Sequence, residues 1–288
     1  MLAYHRPRSM LEALQLRASG DMIVLAGGTD VYPAKAQRTA WGDMRQPAVL
    51  DIAALSELGH IVEAHDHWRL GALVTWSDLV RADVPALFDG LKAAARSIGG
   101  RQIQNRGTLV GNICTASPAG DGAPNLIALD ARVELASLAG RRVVDMAAFI
   151  DGYRHTVCRS DEIVTAILVP KRPGARAHFL KLGARAYLVI SVVMVAGVVE
   201  TDAADKVAHI RLLVGSCSAV PQRLSALEAA LTGAPLVDAA DRVGEEHVAA
   251  LAPIDDIRGS AAYRRSAAVA LIRDLLAELL PARPRRVA

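Results

Sequence analysis

Val24-Leu25-Ala26-Gly27-Gly28-Thr29-Asp30 joins an apolar run to two glycines and a pair of residues that can begin a helix. The run 22–26 predicts a short buried strand, and Thr29-Asp30 predicts the start of a second helix with Pro33 in its first turn. Because glycine has no Cβ, an anion can approach the backbone N–H groups of such a turn. The stretch is therefore compatible with a phosphate site, although its spacing alone is more typical of an ordinary tight turn.

Two common nucleotide-binding patterns are absent from the sequence. It contains neither a Gly-x-Gly-x-x-Gly fingerprint nor a Gly-x-x-x-x-Gly-Lys-Ser/Thr phosphate loop. A flavin or nucleotide would therefore be held in some other fold.

A second glycine-rich stretch runs from Asn105-Arg106-Gly107-Thr108-Leu109-Val110-Gly111-Asn112 through Thr115 and Ser117-Pro118 to Asp121. Few helix signals occur in residues 101–125, so the sequence predicts a long irregular segment, which is usually functional. Its hydroxyl and amide side chains can donate hydrogen bonds, and Asp121 can accept them from sugar hydroxyls. Ordinary loop chemistry remains the alternative. Together with the first stretch, this one could clamp an extended ligand from two sides.

Composition limits the class of protein. The 288 residues are 52% hydrophobic with a net charge of +3, which suits two or three compact units and requires neither nucleic acid nor a membrane surface as partner. No uncharged apolar stretch of about 18 residues occurs, so no membrane insertion is expected. Cys114, Cys158 and Cys217 are scattered, which argues against disulfides and against an iron–sulfur or zinc centre in this chain. A reducing, cytoplasmic setting fits best.

The order of predicted elements indicates an α+β fold. Residues 170–174, which hold two prolines and a glycine, are the best linker candidate. Strands are predicted at 47–51, 61–64, 68–73, 132–138, 141–144, 162–169, 178–182, 190–200 and 208–215, and helices at 9–19, 87–98, 126–131, 223–231 and 263–280.

Five ordered segments resemble the flavoproteins of the xanthine dehydrogenase and carbon monoxide dehydrogenase family. The first two are Ala26-Gly27-Gly28-Thr29-Asp30 and Gly107-Thr108-Leu109-Val110-Gly111-Asn112 with Ser117-Pro118 and Asp121. The later three are Lys181-Leu-Gly-Ala-Arg185, Pro221-Gln-Arg223 with Glu228 and Leu231-Thr-Gly233, and Asp256-Ile-Arg258-Gly-Ser260-Ala with Tyr263-Arg264. Each motif is weak alone, but the ordered set spans nearly the whole chain.

The resemblance implies a fold and a cofactor site. The expected fold is a PCMH-type FAD-binding domain, residues 1–172, with α+β lobes at about 1–55 and 56–172, followed by a small α+β domain at 175–282. The residues expected to bind the FAD diphosphate are Val24, Leu25, Ala26, Gly27, Gly28, Thr29 and Asp30 on one side, and Thr108, Leu109, Val110, Gly111, Asn112 and Thr115 on the other. Asp121 would contact ribityl or ribose hydroxyls, and Leu168 would meet the adenine or flavin edge.

Two further residues would lie near the flavin ring. Lys181 matches a basic residue whose charge would favour reduced, anionic flavin, and Tyr187 resembles an aromatic residue beside the flavin. A half-buried strand tyrosine is the equal alternative for Tyr187. The redox chemistry would belong to the flavin, so no side chain is expected to be catalytic and no metal is expected in this chain.

One residue departs from the family pattern. The family usually has glycine where this chain has Val110, and valine is poor at positive φ. If that glycine is needed for conformation, the loop must be rearranged and FAD affinity falls; if it is needed only for room, Val110 can point into protein.

The resemblance also implies partners. A large subunit would carry the molybdenum cofactor and a small subunit two [2Fe–2S] clusters, as a dimer of heterotrimers, and this chain would pass electrons to NAD⁺, oxygen or a quinone. The alternatives are a self-contained PCMH-type oxidase, which a chain this short disfavours, and a scaffold that has lost FAD, which Val110 would favour.

Overall fold

The N-terminal part of the chain forms a small parallel sheet with two helices. The computed structural model describes residues 3–43, 47–186 and 188–281. The first elements are β1 (Tyr4–His5), α1 (Met10–Ser19), β2 (Met22–Leu25), α2 (Val31–Ala40) and β3 (Ala48–Asp51). The strands pair in the order β1-β3-β2, all parallel. Because carboxyl ends of parallel strands share one edge, the glycine turn after β2 begins at that edge.

A five-stranded antiparallel sheet and a group of short helices follow. The elements are β4 (Ile61–Glu63), β5 (His67–Gly71), α3 (Trp76–Arg81), α4 (Asp89–Ser97), α5 (Arg101–Gln104), α6 (Leu109–Thr115), α7 (Gly122–Ala128), β6 (Arg132–Ser137), β7 (Gly140–Asp145), α8 (Met146–Phe149), β8 (Ile150–Gly152), β9 (His155–Thr156) and β10 (Ile163–Pro170). Single 3₁₀ turns lie at Ser56–Leu58 and Ala86–Phe88. The sheet order is β4-β5-β10-β6-β7, and β8 pairs with β9. The predicted strands at 61–64 and 68–73 pair as the hairpin β4–β5, and those at 132–138 and 141–144 pair as the hairpin β6–β7.

The prediction of an irregular segment over residues 101–125 is wrong, because α5, α6 and the start of α7 lie there. The Thr108 hydroxyl accepts the N–H of Gly111 at 2.9 Å, so it caps α6 and offsets the poor helix propensity of glycine. At the other end, Ala116 adopts a left-handed conformation with φ 47° and ends the helix.

The C-terminal part is an antiparallel sheet covered by helices. Its elements are β11 (Arg176–Leu182), β12 (Val193–Thr201), β13 (Val207–Gly215), β14 (Gln222–Arg223), α9 (Ser225–Leu231) and α10 (Ala261–Glu278), with 3₁₀ turns at Leu236–Asp238, Ala240–Arg242 and Glu245–Val248. The strands pair in the order β11-β12-β13-β14. α10 packs so closely on β12 that a Cβ on Gly197 would lie 2.8 Å from the Leu275 side chain.

Strand β12 is buried on both faces, which explains the long apolar run in the sequence. Successive side chains of a strand point to opposite faces. Met194, Ala196 and Val198 belong to the core shared with the N-terminal part, and Val193, Val195 and Val199 belong to the core beneath α9 and α10. One face of the C-terminal sheet therefore packs against the N-terminal part, and the other face packs against the C-terminal helices.

Within the described ranges, none of the helices combines the length and the apolar character needed to cross a membrane.

Candidate cofactor site

A cleft of about 640 Å³ lies where the parallel sheet, the short helices and the C-terminal domain meet. This volume is in the range of small-molecule and cofactor sites. Thirteen of the residues expected to bind FAD line it: Val24, Ala26, Gly27, Gly28, Thr29, Asp30, Thr108, Val110, Gly111, Asn112, Thr115, Asp121 and Lys181. The fold thus brings both glycine-rich stretches to a single cavity.

The two glycine-rich stretches touch backbone to backbone. A Cβ on Gly27 would lie 1.8 Å from the carbonyl oxygen of Arg106, closer than any atom tolerates. Gly28 has φ +75°, a conformation that favours glycine, and the Tyr32 ring lies against it. Gly27 is therefore required by the close approach of the two stretches, and Gly28 by its own backbone conformation and the adjacent Tyr32 ring.

The second wall is held together by Asn112 and by small residues. The Asn112 side chain accepts the N–H of Gly122 at 3.1 Å, which ties α6 to α7. A Cβ on Gly122 would meet that same side-chain oxygen at 2.7 Å. Glycine, threonine and alanine at this wall leave backbone groups accessible to an extended ligand.

Val110 needs no special conformation. It lies within α6, its φ is negative, and its side chain is only 5% exposed because it packs into the core. Helix α6 is therefore not strained by this valine, although Val110 also forms part of the cleft wall.

A buried ion pair joins the two domains inside the cleft. The Lys181 Nζ donates to Asp121 Oδ2 at 2.7 Å, and the Ser191 hydroxyl donates to Asp121 Oδ1 at 2.8 Å. Asp121 is 4% exposed and Ser191 is 2% exposed. Asp121 was expected to face a ribityl or ribose hydroxyl, yet both of its oxygens already serve C-terminal residues. Each carboxylate oxygen has a second lone pair, so a cofactor hydroxyl can still be bound.

Several lining residues carried no signal in the sequence. Among them are Arg17 in α1, Trp76 in α3 and Glu162, which directly precedes β10. Arg17 donates to the carbonyl oxygens of Met22 and Glu162, at 2.5 and 3.2 Å. Hydrogen bonds from the Arg142 guanidinium lower the pKa of Glu162. Only tertiary structure brings these groups together.

Two cysteines also face the cleft. The exposed surface of Cys114 lines the cavity, where the surrounding protein desolvates the thiol and raises its pKa to about 12. Desolvation likewise raises the pKa of Cys158 to about 11. Neither thiol is activated as a nucleophile. Among the described residues, no group of three or more His, Cys, Asp or Glu side chains could hold a metal ion.

Three expected site residues are not among the residues that line the cleft, and a fourth cannot be placed. Leu25 and Leu109 are buried in the core at 4% and 0% exposure. Leu168 lies in β10, opposite Arg69 of β5, and is not part of the cavity wall. Tyr187 lies outside the described residues.

Comparison with known proteins identifies the family. Residues 1–172 match the FAD binding domain in molybdopterin dehydrogenase, and residues 178–279 match the CO dehydrogenase flavoprotein C-terminal domain. The chain is 32% identical to the nicotine 6-hydroxylase medium subunit of Paenarthrobacter nicotinovorans over 284 residues, covering 96% of each. It is 34% identical over 223 residues to the nicotinate dehydrogenase FAD-subunit of Eubacterium barkeri, covering 74% of this chain and 72% of that one.

Solved structures agree with the sequence relatives. Carbon monoxide dehydrogenase from Hydrogenophaga pseudoflava superposes with a TM-score of 0.84 at 29% identity, covering 96% of both chains. The enzyme from Oligotropha carboxidovorans superposes with a TM-score of 0.87 at 25% identity, again covering 96% of both. This chain is therefore an FAD-binding medium subunit of the molybdenum hydroxylase family, with an FAD-binding domain followed by a flavoprotein C-terminal domain.

Proposed function

We propose that the cleft holds FAD and that the chain passes electrons from [2Fe–2S] clusters of a partner subunit, through that flavin, to NAD⁺, oxygen or a quinone. The observation that supports this most directly is the meeting of the two glycine-rich stretches at one cavity, with Gly27 against the Arg106 carbonyl. Bound FAD supplies the redox chemistry, and the protein binds and orients it.

Each part of the cleft has a proposed task. The backbone of residues 24–30 holds one side of the diphosphate, and Thr108, Gly111, Asn112 and Thr115 hold the other. Asp121 contacts a cofactor hydroxyl, and Lys181 supplies positive charge near the flavin ring. Leu168 and Tyr187 are left outside this assignment, because Leu168 is not in the cavity wall and Tyr187 is not among the described residues.

The electron donor lies in other chains. Cys114, Cys158 and Cys217 are too few for two [2Fe–2S] clusters, each of which needs four ligands. We therefore infer a small iron–sulfur subunit and a large molybdenum-cofactor subunit, assembled as a dimer of heterotrimers. The three free cysteines fit a reducing, cytoplasmic location. The substrate would bind the large subunit.

Neither alternative function gains support from the site. Val110 was the feature in favour of a scaffold without FAD, and it occupies an unstrained helical position. A self-contained oxidase would need its own substrate domain, whereas the relatives that this chain resembles are named as a medium subunit and an FAD-subunit.

An absorbance spectrum tests the cofactor, and reoxidation kinetics test the acceptor. The chain, purified alone and then incubated with FAD, is expected to retain about one flavin per chain. In the assembled complex, substrate is expected to bleach the flavin band, and the rates of its return with NAD⁺, oxygen and a quinone rank the acceptors. A complex without flavin would overturn the electron-transfer function and favour the scaffold. Flavin that turns over a substrate without partner subunits would favour the oxidase.

A further inference from the structure

The last of the family-like segments, residues 256–264, lies outside the cleft wall and is held by hydrogen bonds within a turn. Asp256 and Gly259 exchange two main-chain hydrogen bonds at 3.3 and 3.2 Å. The Asp256 carboxylate also accepts the N–H of Arg258 at 2.8 Å, a bond that lowers its pKa to about 2. This turn therefore presents a fixed carboxylate to its neighbours.

Arg264 connects that carboxylate to the C-terminal sheet. Its guanidinium is 3% exposed and donates to Asp256 Oδ1 at 2.6 Å. It also donates to the carbonyl oxygens of Val192 and Ser216, at 2.7 and 3.2 Å. The buried Arg264 guanidinium thus fixes two separate stretches of main chain, at Val192 and at Ser216.

The main chain at Val192 and the main chain at Ser216 are each linked by one hydrogen bond to the connection between α6 and α7 at the cleft. Ser191, the neighbour of Val192, donates its hydroxyl to Asp121 at 2.8 Å. Ser216 donates its own N–H to the carbonyl oxygen of Pro118 at 3.0 Å. Pro118 and Asp121 lie in the same short connection between α6 and α7. Arg264 therefore fixes both of the main-chain stretches that hydrogen-bond to this connection.

A third link ties Lys181 to the same place. The N–H of Val192 donates to the carbonyl oxygen of Leu182 at 2.8 Å, directly after Lys181 in β11. Movement of Val192 would therefore move both the serine and the lysine that hold Asp121. The buried Asp121 carboxylate cannot be left without these partners, because an unpaired buried charge is costly.

We propose that Arg264 is a positioning residue for the cofactor cleft, acting through Val192, Ser191 and Ser216 on the Asp121–Lys181 pair. The proposal rests on the proposed function, since it assumes that FAD occupies the cleft. Arginine is required because its planar fork reaches several acceptors in fixed directions, which a lysine ammonium does not.

The test compares Arg264→Lys with Arg265→Lys. Arg265 is the adjacent residue of the same helix. Within the described ranges, its guanidinium donates to the carbonyl oxygen of Leu251, at 3.3 and 3.2 Å, and Leu251 is not among the residues that line the cleft. FAD binding to the full-length chain is measured by flavin fluorescence well below the Tm of each variant. R264K is expected to raise the Kd of FAD roughly tenfold, from the loss of one to two charge-assisted hydrogen bonds. R265K is expected to leave it within about twofold, as for a surface change of a few tenths of a kcal/mol.

A double-mutant cycle separates positioning from general destabilisation. Ser191→Ala is expected to weaken FAD binding, and adding it to R264K is expected to weaken binding little further, because both act on Asp121. The flavin midpoint potential is expected to shift in R264K and S191A and to stay unchanged in R265K. Equal Kd and potential in wild type and R264K would overturn the proposal, as would independent, multiplying effects of the two substitutions. A wild-type chain that binds no FAD, alone or in its complex, would overturn the proposed function and this inference with it.

Discussion

The ammonium of Lys181 lies 2.7 Å from the carboxylate of Asp121, and this contact crosses from the C-terminal domain to the FAD-binding domain. The two side chains are only 11% and 4% exposed. An ion pair so buried is strongly held by its surroundings, and removal of one partner leaves the other without compensation.

Lys181→Met is therefore expected to lower the free energy of unfolding by about 3 kcal/mol and to weaken FAD binding. The matched control is Lys171→Met, because Lys171 pairs with Glu63 at the same distance of 2.7 Å but Glu63 is 57% exposed. That control is expected to cost less than about 1 kcal/mol. Urea unfolding of both variants provides the measurement, and equal losses would show that burial of the pair does not matter.

Gly27→Ala is expected to prevent the two cleft walls from meeting. Its Cβ would lie 1.8 Å from the Arg106 carbonyl oxygen, so one backbone must move. FAD affinity is expected to fall by at least tenfold, with a stability loss of about 2 kcal/mol. Gly20→Ala serves as the control, since no atom lies within 4 Å of its Cβ position and its φ of 173° suits any residue. Unaltered FAD binding in G27A would contradict the assignment of this turn.

Cys114 reports on occupancy of the cleft. Its thiol is desolvated with a pKa near 12, so alkylation by iodoacetamide at pH 8 is expected to be slow in the folded chain and normal after unfolding. Saturating FAD is expected to slow it further by covering the cavity wall. Mass spectrometry of the modified peptide measures the rate, with Cys217 in the other core as an internal reference. Protection of Cys217 but not Cys114 by FAD would place the cofactor elsewhere.

Asp256 gives the protein a pH dependence at acid pH. Its main-chain bond to Arg258 and its contact with Arg264 lower its pKa from 3.8 to about 2. A depressed carboxyl pKa contributes stability above the unfolded value and loses it as the pH falls through the folded value. Asp256→Asn is therefore expected to be less stable than wild type at pH 7, with the difference vanishing between about pH 4 and pH 2. Urea unfolding across that window tests this, and a constant difference would contradict it.

Val110→Gly is expected to destabilise the chain by about 2 kcal/mol, from lower helix propensity and a lost buried side chain. FAD affinity is expected to change by less than about twofold, because Val110 adopts ordinary helical geometry. Titration of the variant with FAD, followed by flavin fluorescence, measures this affinity. A markedly tighter complex would mean that the valine obstructs the cofactor.

The sequence predicted most strands and the last helix, because their apolar patterns are local. β12 and α10 are examples. β12 is a continuous valine-rich run, and α10 is a long helical run that begins after Ser260, whose hydroxyl accepts the N–H of Tyr263. The prediction for residues 101–125 was wrong because their glycine content argued against helix, whereas the Thr108 side chain caps α6 and stabilises it. Composition alone does not register such a cap.

The site could be predicted in its two walls but not in its supports. Gly27 and Gly111 belong to glycine-rich motifs that the sequence displays, and both line the same cavity. Ser191 and Arg264 act through contacts 70 and 72 residues apart in sequence, and nothing local marks a serine as the partner of a distant aspartate. Leu168 matched the family by position, yet its strand places it outside the cavity wall.

Two domains contribute to the Asp121–Lys181–Ser191 cluster: Asp121 comes from the FAD-binding domain, and Lys181 and Ser191 come from the C-terminal domain. The evolution or engineering of one domain is therefore constrained by the other. A chimera that grafts the C-terminal domain of a relative onto this N-terminal domain must bring its own lysine and hydroxyl to the same two places. A domain that is exchanged without regard to the other would lose the contacts to Asp121, because these contacts form where the two domains meet.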